Sequence, residues 1–368
     1  MLKECRLCKN PNVEKICNFE SMPIHLWPSE SSLTNIDFCD LESYLCKLCG
    51  HLQIQNLSSE FINNLYSRPY LNLPSPEVNR KRLDILQRFI NFDQAKNILD
   101  VGGGTNPSYE YYKNQEYTIL DPIVPDGFLG HHIQEFLSDA RLEQDSFDLI
   151  LAFHILEHLE KPVEDLTKLV ISLKKQGKIV VEVPDRKYYI NKIPFYLYFH
   201  QHINLFDKAS LEFLLDSVGL QKIKTIELNG RILAIFEKKS PVNKAHFVQT
   251  NNWKDVYKIN KEFFLEFDDA ICQSILKFKS NEIILLGAGG SSTLLLYHCP
   301  KLKGLITKIV DSDDRKIGKI CPNTEFAITS PNEIFSKDVL FVTIGLDILN
   351  TYENIKNSNF VNVLDFIG

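Results

Sequence analysis

Two groups of residues in this chain have the types and spacing for chemistry. The first runs from Asp100 through Gly102, Gly103 and Gly104 to Asp121. An apolar run (NILD) entering a glycine-rich turn lets backbone approach a ligand closely. An acid closing the next apolar run (YTILD) can accept hydrogen bonds from ribose hydroxyls. Together they form a nucleoside site at the edge of a doubly wound sheet. The second group is two CxxC pairs, Cys5/Cys8 and Cys46/Cys49. Each pair points two thiolates at one place, and two pairs complete a tetrahedral Zn–S4 site. Four thiolates leave no open position, so such a metal holds structure together and does not meet substrate. A redox dithiol or a disulfide scaffold is the competing reading. Lys3, Arg6 and Lys47 are placed to offset the thiolate charge, and Cys17 and Cys39 read as free thiols.

At 368 residues the chain calls for two or three domains. Its 41 Lys and Arg against 47 Asp and Glu give a net charge of −6, with no basic run. That argues against nucleic acid as a partner. No apolar run reaches the length of a membrane span, and MLKECRLC has no apolar leader core, so no membrane association is expected and the cytoplasm is the expected compartment. Oligomeric state is not readable from the sequence.

The elements that must position these residues alternate. VNRKRLDILQRFINF has helical spacing, and strand and helix signals then follow through KNILDV, EYTILD, FDLILAF, VEDLTKLVISLKK and GKIVVEVP. The reading is α/β with a parallel sheet. Three domains are expected: a zinc-binding module over 1–65, a doubly wound domain over 66–240, and a second Rossmann-like α/β domain over 241–368. In the last, the strand and glycine turn EIILLGAGGSS lead into a helix, and Gly287 and Asp311 could hold a dinucleotide, or a nucleotide diphosphate on the amides of the helix start. The YSRPYLNLPSP stretch reads as a loop able to face substrate.

The sequence FDLILAFHILEHL, after the glycine turn and Asp121, resembles the class I S-adenosylmethionine-dependent methyltransferases. The whole order of motifs is similar to the nucleotide-sugar C-methyltransferases, which methylate ketodeoxysugars. The matching residues are Cys5-Arg6-Leu7-Cys8, Cys46 to Gln53, Glu182-Val183-Pro184 and His200-Gln201-His202 with Phe206 and Ser210. In the last domain they are Gly287-Ala288, Leu295-Leu296-Tyr297, Ile309-Val310-Asp311, Lys316-Ile317-Gly318 and Pro322-Asn323-Thr324. The chain departs from that pattern at Gln201, where the family has Glu, at Phe199, where it has Tyr, and at Ser291-Ser292, where it has Lys-Gly.

The resemblance implies S-adenosylmethionine at Asp100, Gly102, Gly104, Asp121 and Phe153, structural zinc on the four cysteines, and a nucleotide-sugar substrate. It implies His202 as the base that removes a proton beside a ketone, so that the enolate carbon takes the methyl. His158 and Tyr70 are expected near the sugar, with His200 either there or stacked in the core. Glu157 is expected to be solvated or capping. An oxygen or nitrogen acceptor is the alternative that Gln201 invites, since a hydroxyl needs less help from a base. A non-catalytic nucleotide-binding scaffold is the third reading.

Overall fold

The computed structural model describes residues 4–28, 38–55, 57, 76–104, 108, 112, 114–123, 127–239, 253–280, 282–334, 339–344 and 358–367. The chain forms two units. The first comprises residues 1–15, 43–186 and 200–253, and the second comprises 16–42, 187–199 and 254–368. The expected boundaries at 65/66 and 240/241 fall outside the described residues. Among those described, no helix is long and apolar enough to cross a membrane.

β1 (Val13–Pro23) begins in the first unit and ends in the second; β2 (Phe38–Cys46) does the reverse. Within the first unit β2 pairs antiparallel with β3 (Leu52–Ile54). After α1 (Pro76–Leu86) the main strands follow: β4 (Asn97–Val101), β5 (Glu116–Leu120), β6 (His131–Ile133), β7 (Phe147–Phe153) and β8 (Leu173–Pro184), with α2 (Pro162–Ser172) between β7 and β8. β9 (Asn204–Leu205) pairs antiparallel with β3. α4 (Lys208–Ser217) then leads to the hairpin of β10 (Leu220–Leu228) and β11 (Arg231–Lys238). A short helix, α3 (Arg186–Lys192), starts at the end of the first unit's central segment.

The seven-stranded sheet has the order β10-β11-β8-β7-β4-β5-β6. β4 to β8 are parallel, and β11 runs antiparallel to both its neighbours. Its central strands are buried on both faces, which is why ILDV, LILA and IVVEV read as nearly unbroken apolar runs. Alternate residues separate two cores. Ile98, Leu149, Leu151 and Val180 pack with Leu86 and Ile90 from the α1 side. Leu99, Ile150, Ile179 and Val181 pack with Leu166 and Leu169 of α2 and Leu211 and Leu214 of α4. This is the α/β class I methyltransferase fold that the sequence implies.

One element departs from expectation. Helical spacing carries α2 through LKK, yet it stops at Ser172 and Leu173 opens β8. The Ser172 hydroxyl donates back to the Leu169 carbonyl at 2.9 Å, a bond that competes with the helix ladder.

In the second unit, β12 (Glu282–Leu286), β13 (Lys308–Val310), β14 (Ile328–Thr329), β15 (Val339–Thr343) and β16 (Asn359–Asn362) form a parallel sheet in the order β14-β13-β12-β15-β16. α5 (Lys261–Ile275), α6 (Gly290–His298) and α7 (Pro300–Leu305) complete it. The buried Asp268 of α5 accepts the Lys301 and Leu302 amides at 2.8 and 2.9 Å, so the start of α7 is capped from another helix.

Candidate functional site

Asp100, Gly102, Gly104 and Asp121, the residues expected at a nucleoside edge, gather around one turn. Asp100, one residue before the end of β4, is only 2% exposed, and the Tyr117 hydroxyl donates to its Oδ2 at 2.5 Å. Burial pushes its carboxyl up to about 6, against the pull of that hydrogen bond. Gly102 takes a φ of +77° and donates to the Leu120 carbonyl at 2.9 Å. Asp121, just past β5, accepts the Gly104 amide at 3.0 Å and the Ile123 amide at 2.7 Å, which fixes its carboxylate beside the turn. A Cβ on Gly104 would lie 2.5 Å from that carboxylate. A Cβ on Gly102 would meet Ile155 Cδ1 at 1.9 Å, so the turn packs directly on the loop after β7.

That loop carries a buried ionic network. Phe153 ends β7, and the Arg82 guanidinium stacks over its ring at 4.1 Å. Arg82 also donates to both oxygens of Glu182, at 3.1 and 2.6 Å. Glu182 is fully buried in β8 and receives Arg231 and His154 as well, each at 3.1 Å. Burial opposes its charge, yet His154 and Arg82 hold it well below the usual carboxylate range. His154 has a φ of +57° and donates its Nδ1 to Glu157 Oε1 at 3.0 Å. Burial lowers its pKa, but the bonds to Glu157 and Glu182 outweigh this and carry it up to about 9. Glu157 is 1% exposed, which corrects the expectation of a solvated or capping residue. Its Oε2 is buried with no hydrogen-bond partner among the described residues. Arg82, His154 and Arg231 were missed in the sequence. The available signal was Glu182 itself, a carboxylate inside the apolar strand IVVEV.

His158 and His202 come together. His158 ends the turn Leu156–His158, and its ring centroid lies 4.9 Å from that of His202. The His158 Nδ1 lies 2.8 Å from the Gln201 carbonyl, so it carries the proton and leaves the lone pair on Nε2. Burial lowers both pKa values; for His202 proximity to His158 and His154 adds to the effect. Both imidazoles are therefore neutral at neutral pH. His200 is 2% exposed, and Tyr70 lies outside the described residues.

Long-range bonds fix this pair. The Asn204 amide donates to the Leu156 and Leu159 carbonyls at 3.0 and 2.7 Å, clamping the His158 turn. Its carbonyl oxygen meets His51 Nε2 at 3.2 Å. Arg6 donates to the Ile203 carbonyl at 2.9 Å and the Ile54 carbonyl at 2.7 Å. Arg6 therefore ties the first CxxC turn to the residue after His202, a role that the expected offsetting of thiolate charge does not describe. Lys47 pairs with Glu14 at 2.5 Å.

The sulfurs of Cys5, Cys8, Cys46 and Cys49 all lie within 4.8 Å of one another. The Cys5–Cys49 and Cys8–Cys46 separations are 3.5 Å, and all four are free thiols. Zn–S bonds of about 2.3 Å in a tetrahedron need sulfurs at nearly this spacing, so the donor set fits zinc. Each knuckle closes on a left-handed residue, Lys9 (φ +57°) and Gly50 (φ +70°). Cys5, Cys46 and Cys49 belong to the core beneath α2 and α4.

In the second unit the glycine turn after β12 is crowded by its own unit. A Cβ on Gly290 would fall 1.8 Å from the Trp27 ring, and Thr293 Oγ1 donates to the Leu26 carbonyl at 3.0 Å. Asp311 accepts the Ala288 and Asp313 amides at 2.7 and 2.9 Å and pairs with Lys316 at 2.8 Å. Asp311 thus braces the turn after β12 in the way Asp121 braces the turn after β4.

Residues 76–225 match the family model of a methyltransferase domain, and residues 254–345 match that of a C-methyltransferase C-terminal domain. No curated protein matches the chain. Among solved structures it is similar to an S-adenosylmethionine-dependent methyltransferase from Listeria monocytogenes. That match has 12% identity and a TM-score of 0.36, over 43% of this chain and 97% of that one. It is also similar to a possible histamine N-methyltransferase from Thermotoga maritima, with 19% identity and a TM-score of 0.37, over 49% and 98%. A third is the 1,6-didemethyltoxoflavin-N1-methyltransferase of Burkholderia thailandensis with bound S-adenosylhomocysteine. It has 12% identity and a TM-score of 0.36, over 58% and 100%. A methyltransferase domain and a C-methyltransferase C-terminal domain thus follow one another in this chain.

Proposed function

We propose that the chain is an S-adenosylmethionine-dependent methyltransferase that places the methyl on a carbon beside the ketone of a nucleotide-activated ketodeoxysugar. The observation that carries this reading is the contact between Gly102 and Ile155. It joins the turn of Asp100 and Asp121 to the loop where His158 meets His202. The match to a C-methyltransferase C-terminal domain supports carbon as the acceptor. The order of the cysteine, His-Gln-His and Gly-Ala motifs supports the sugar nucleotide.

When bound, S-adenosylmethionine supplies a methyl on a positively charged sulfur, and that sulfur keeps the electron pair as the group leaves. The chain's residues do the rest. Asp121 has carboxylate lone pairs beyond those used by Gly104 and Ile123, and these accept from ribose hydroxyls. Asp100 and Tyr117 hold the turn. His202 takes the proton from the carbon beside the ketone, and His158 orients a substrate hydroxyl through its Nε2 lone pair. Because His202 is held well below the ordinary imidazole range, it is unprotonated and able to act down to mildly acid pH.

Protein incubated with 13C-methyl S-adenosylmethionine and a panel of nucleotide ketodeoxysugars should show the label bonded to carbon by NMR. His202→Ala should slow transfer by about 100-fold or more. Full transfer by that variant would remove His202 as the base. Label on oxygen or nitrogen would establish the second reading, which Gln201 favours by placing an amide where a carboxylate would assist the base.

A further inference from the structure

Glu157, His158 and His202 place one ligand atom each within 4.8 Å of one another, in a group separate from the four cysteines. We propose that these three side chains form a second metal site, one that takes a divalent transition-metal ion. Three features carry the inference beyond proximity. Glu157 Oε2 is buried without a hydrogen-bond partner among the described residues, and a buried carboxylate oxygen left unpaired is costly unless something binds there. Its other oxygen is held by His154, which itself is anchored on Glu182, so the carboxylate cannot turn away. His158 is oriented by the contact of Nδ1 with the Gln201 carbonyl, the outer-shell bond that metal-ligating histidines make, and this directs Nε2 as the ligand atom.

Two imidazoles and one carboxylate suit Zn2+, Fe2+ or Co2+ over Mg2+, which prefers oxygen alone. Three protein ligands leave at least one coordination position, unlike the closed cysteine site. That position suits water or an oxygen of an acceptor. Coordination uses an imidazole lone pair of His202, so a loaded site and a proton-abstracting His202 exclude each other. The inference does not depend on methyl transfer, and its test reads metal alone.

The full chain is dialysed against buffered micromolar free Zn2+, and metal per chain is counted by plasma mass spectrometry. His202→Ala and Glu157→Gln should each bind one ion fewer than the parent while retaining the cysteine-held equivalent and the parent's circular dichroism. Equal counts in the parent and both variants would overturn the site. If Glu157→Gln fails to fold, His202→Ala, at a half-buried position, decides alone. Co2+ gives a second readout. The ion lost in the variants should contribute weak visible bands without sulfur-to-cobalt charge transfer. Loss of a charge-transfer band instead would assign that ion to cysteines and sink the proposal.

Discussion

Single residues of the edge site show what a sequence can and cannot disclose. The turn at Gly102 and the acids Asp100 and Asp121 beside it were legible as local geometry, because a turn that needs φ above zero and an acid near a strand end are local requirements. Glu157 was not, because its partner His154 is held in turn by Glu182 from another strand, and no periodicity encodes such a contact. Asp100 also yields a prediction. Its folded pKa is raised to about 6, so its ionised form is penalised by burial. The stability associated with the protonated form is fully present below the ordinary aspartate range and is lost as pH rises through 6. Asp100→Asn, which can still accept from Tyr117, should stabilise the ligand-free chain at pH 8 by on the order of 2 kcal/mol. The gain should vanish near pH 4. Thermal melts at both pH values check this; a constant difference would mean that the carboxyl carries no such penalty.

Among the elements, the short strands β3 and β9 matter more than their length suggests. Two register pairs, Leu52 with Leu205 and Gln53 with Asn204, dock the cysteine segment on the residues that follow His202. Arg6 and Asn204 complete the bracket. The sequence displayed the CxxC pairs and the His-Gln-His motif plainly, but it gave no sign that one supports the other, because the bonds join residues far apart in the chain. Asn204→Ala should strand the Leu156 and Leu159 carbonyls and cost about 2 kcal/mol. It should also loosen His158 against His202, so transfer should fall more than cofactor affinity. Comparing kcat with S-adenosylmethionine binding tests this, and a loss confined to binding would contradict it. In zinc-loaded protein, stripping the metal with a chelator should mimic the variant, since Arg6 lies within the first CxxC turn.

Over the whole molecule, the parallel core of the first sheet and a second α/β unit were anticipated from their apolar runs, while the antiparallel β11 and the path of the chain between the units were not. The second unit also holds a buried base that its sequence did not announce. The His298 and Phe264 ring centroids lie 3.8 Å apart, the His298 Nε2 has no hydrogen-bond partner among the described residues, and burial pushes its pKa down to about 3. The sign follows from the neutral folded form. Stability is intact above the ordinary histidine range and falls between there and pH 3, by about 1.4 kcal/mol for each pH unit. His298→Phe should therefore move the acid transition of the second unit to lower pH. Hydrogen exchange in β12 and β13 reads that shift, and an unchanged midpoint would exclude His298 as its origin.

The pairing of β3 with β9 also sets a clock. Leu52 leaves the ribosome roughly 10–30 s before Leu205 at ordinary rates of synthesis. For that interval β3 has β2 on one side and no β9 on the other, and the Arg6 guanidinium lacks the Ile203 carbonyl. Metal captured by the nascent cysteines would hold the edge of β3 in place until its partner arrives.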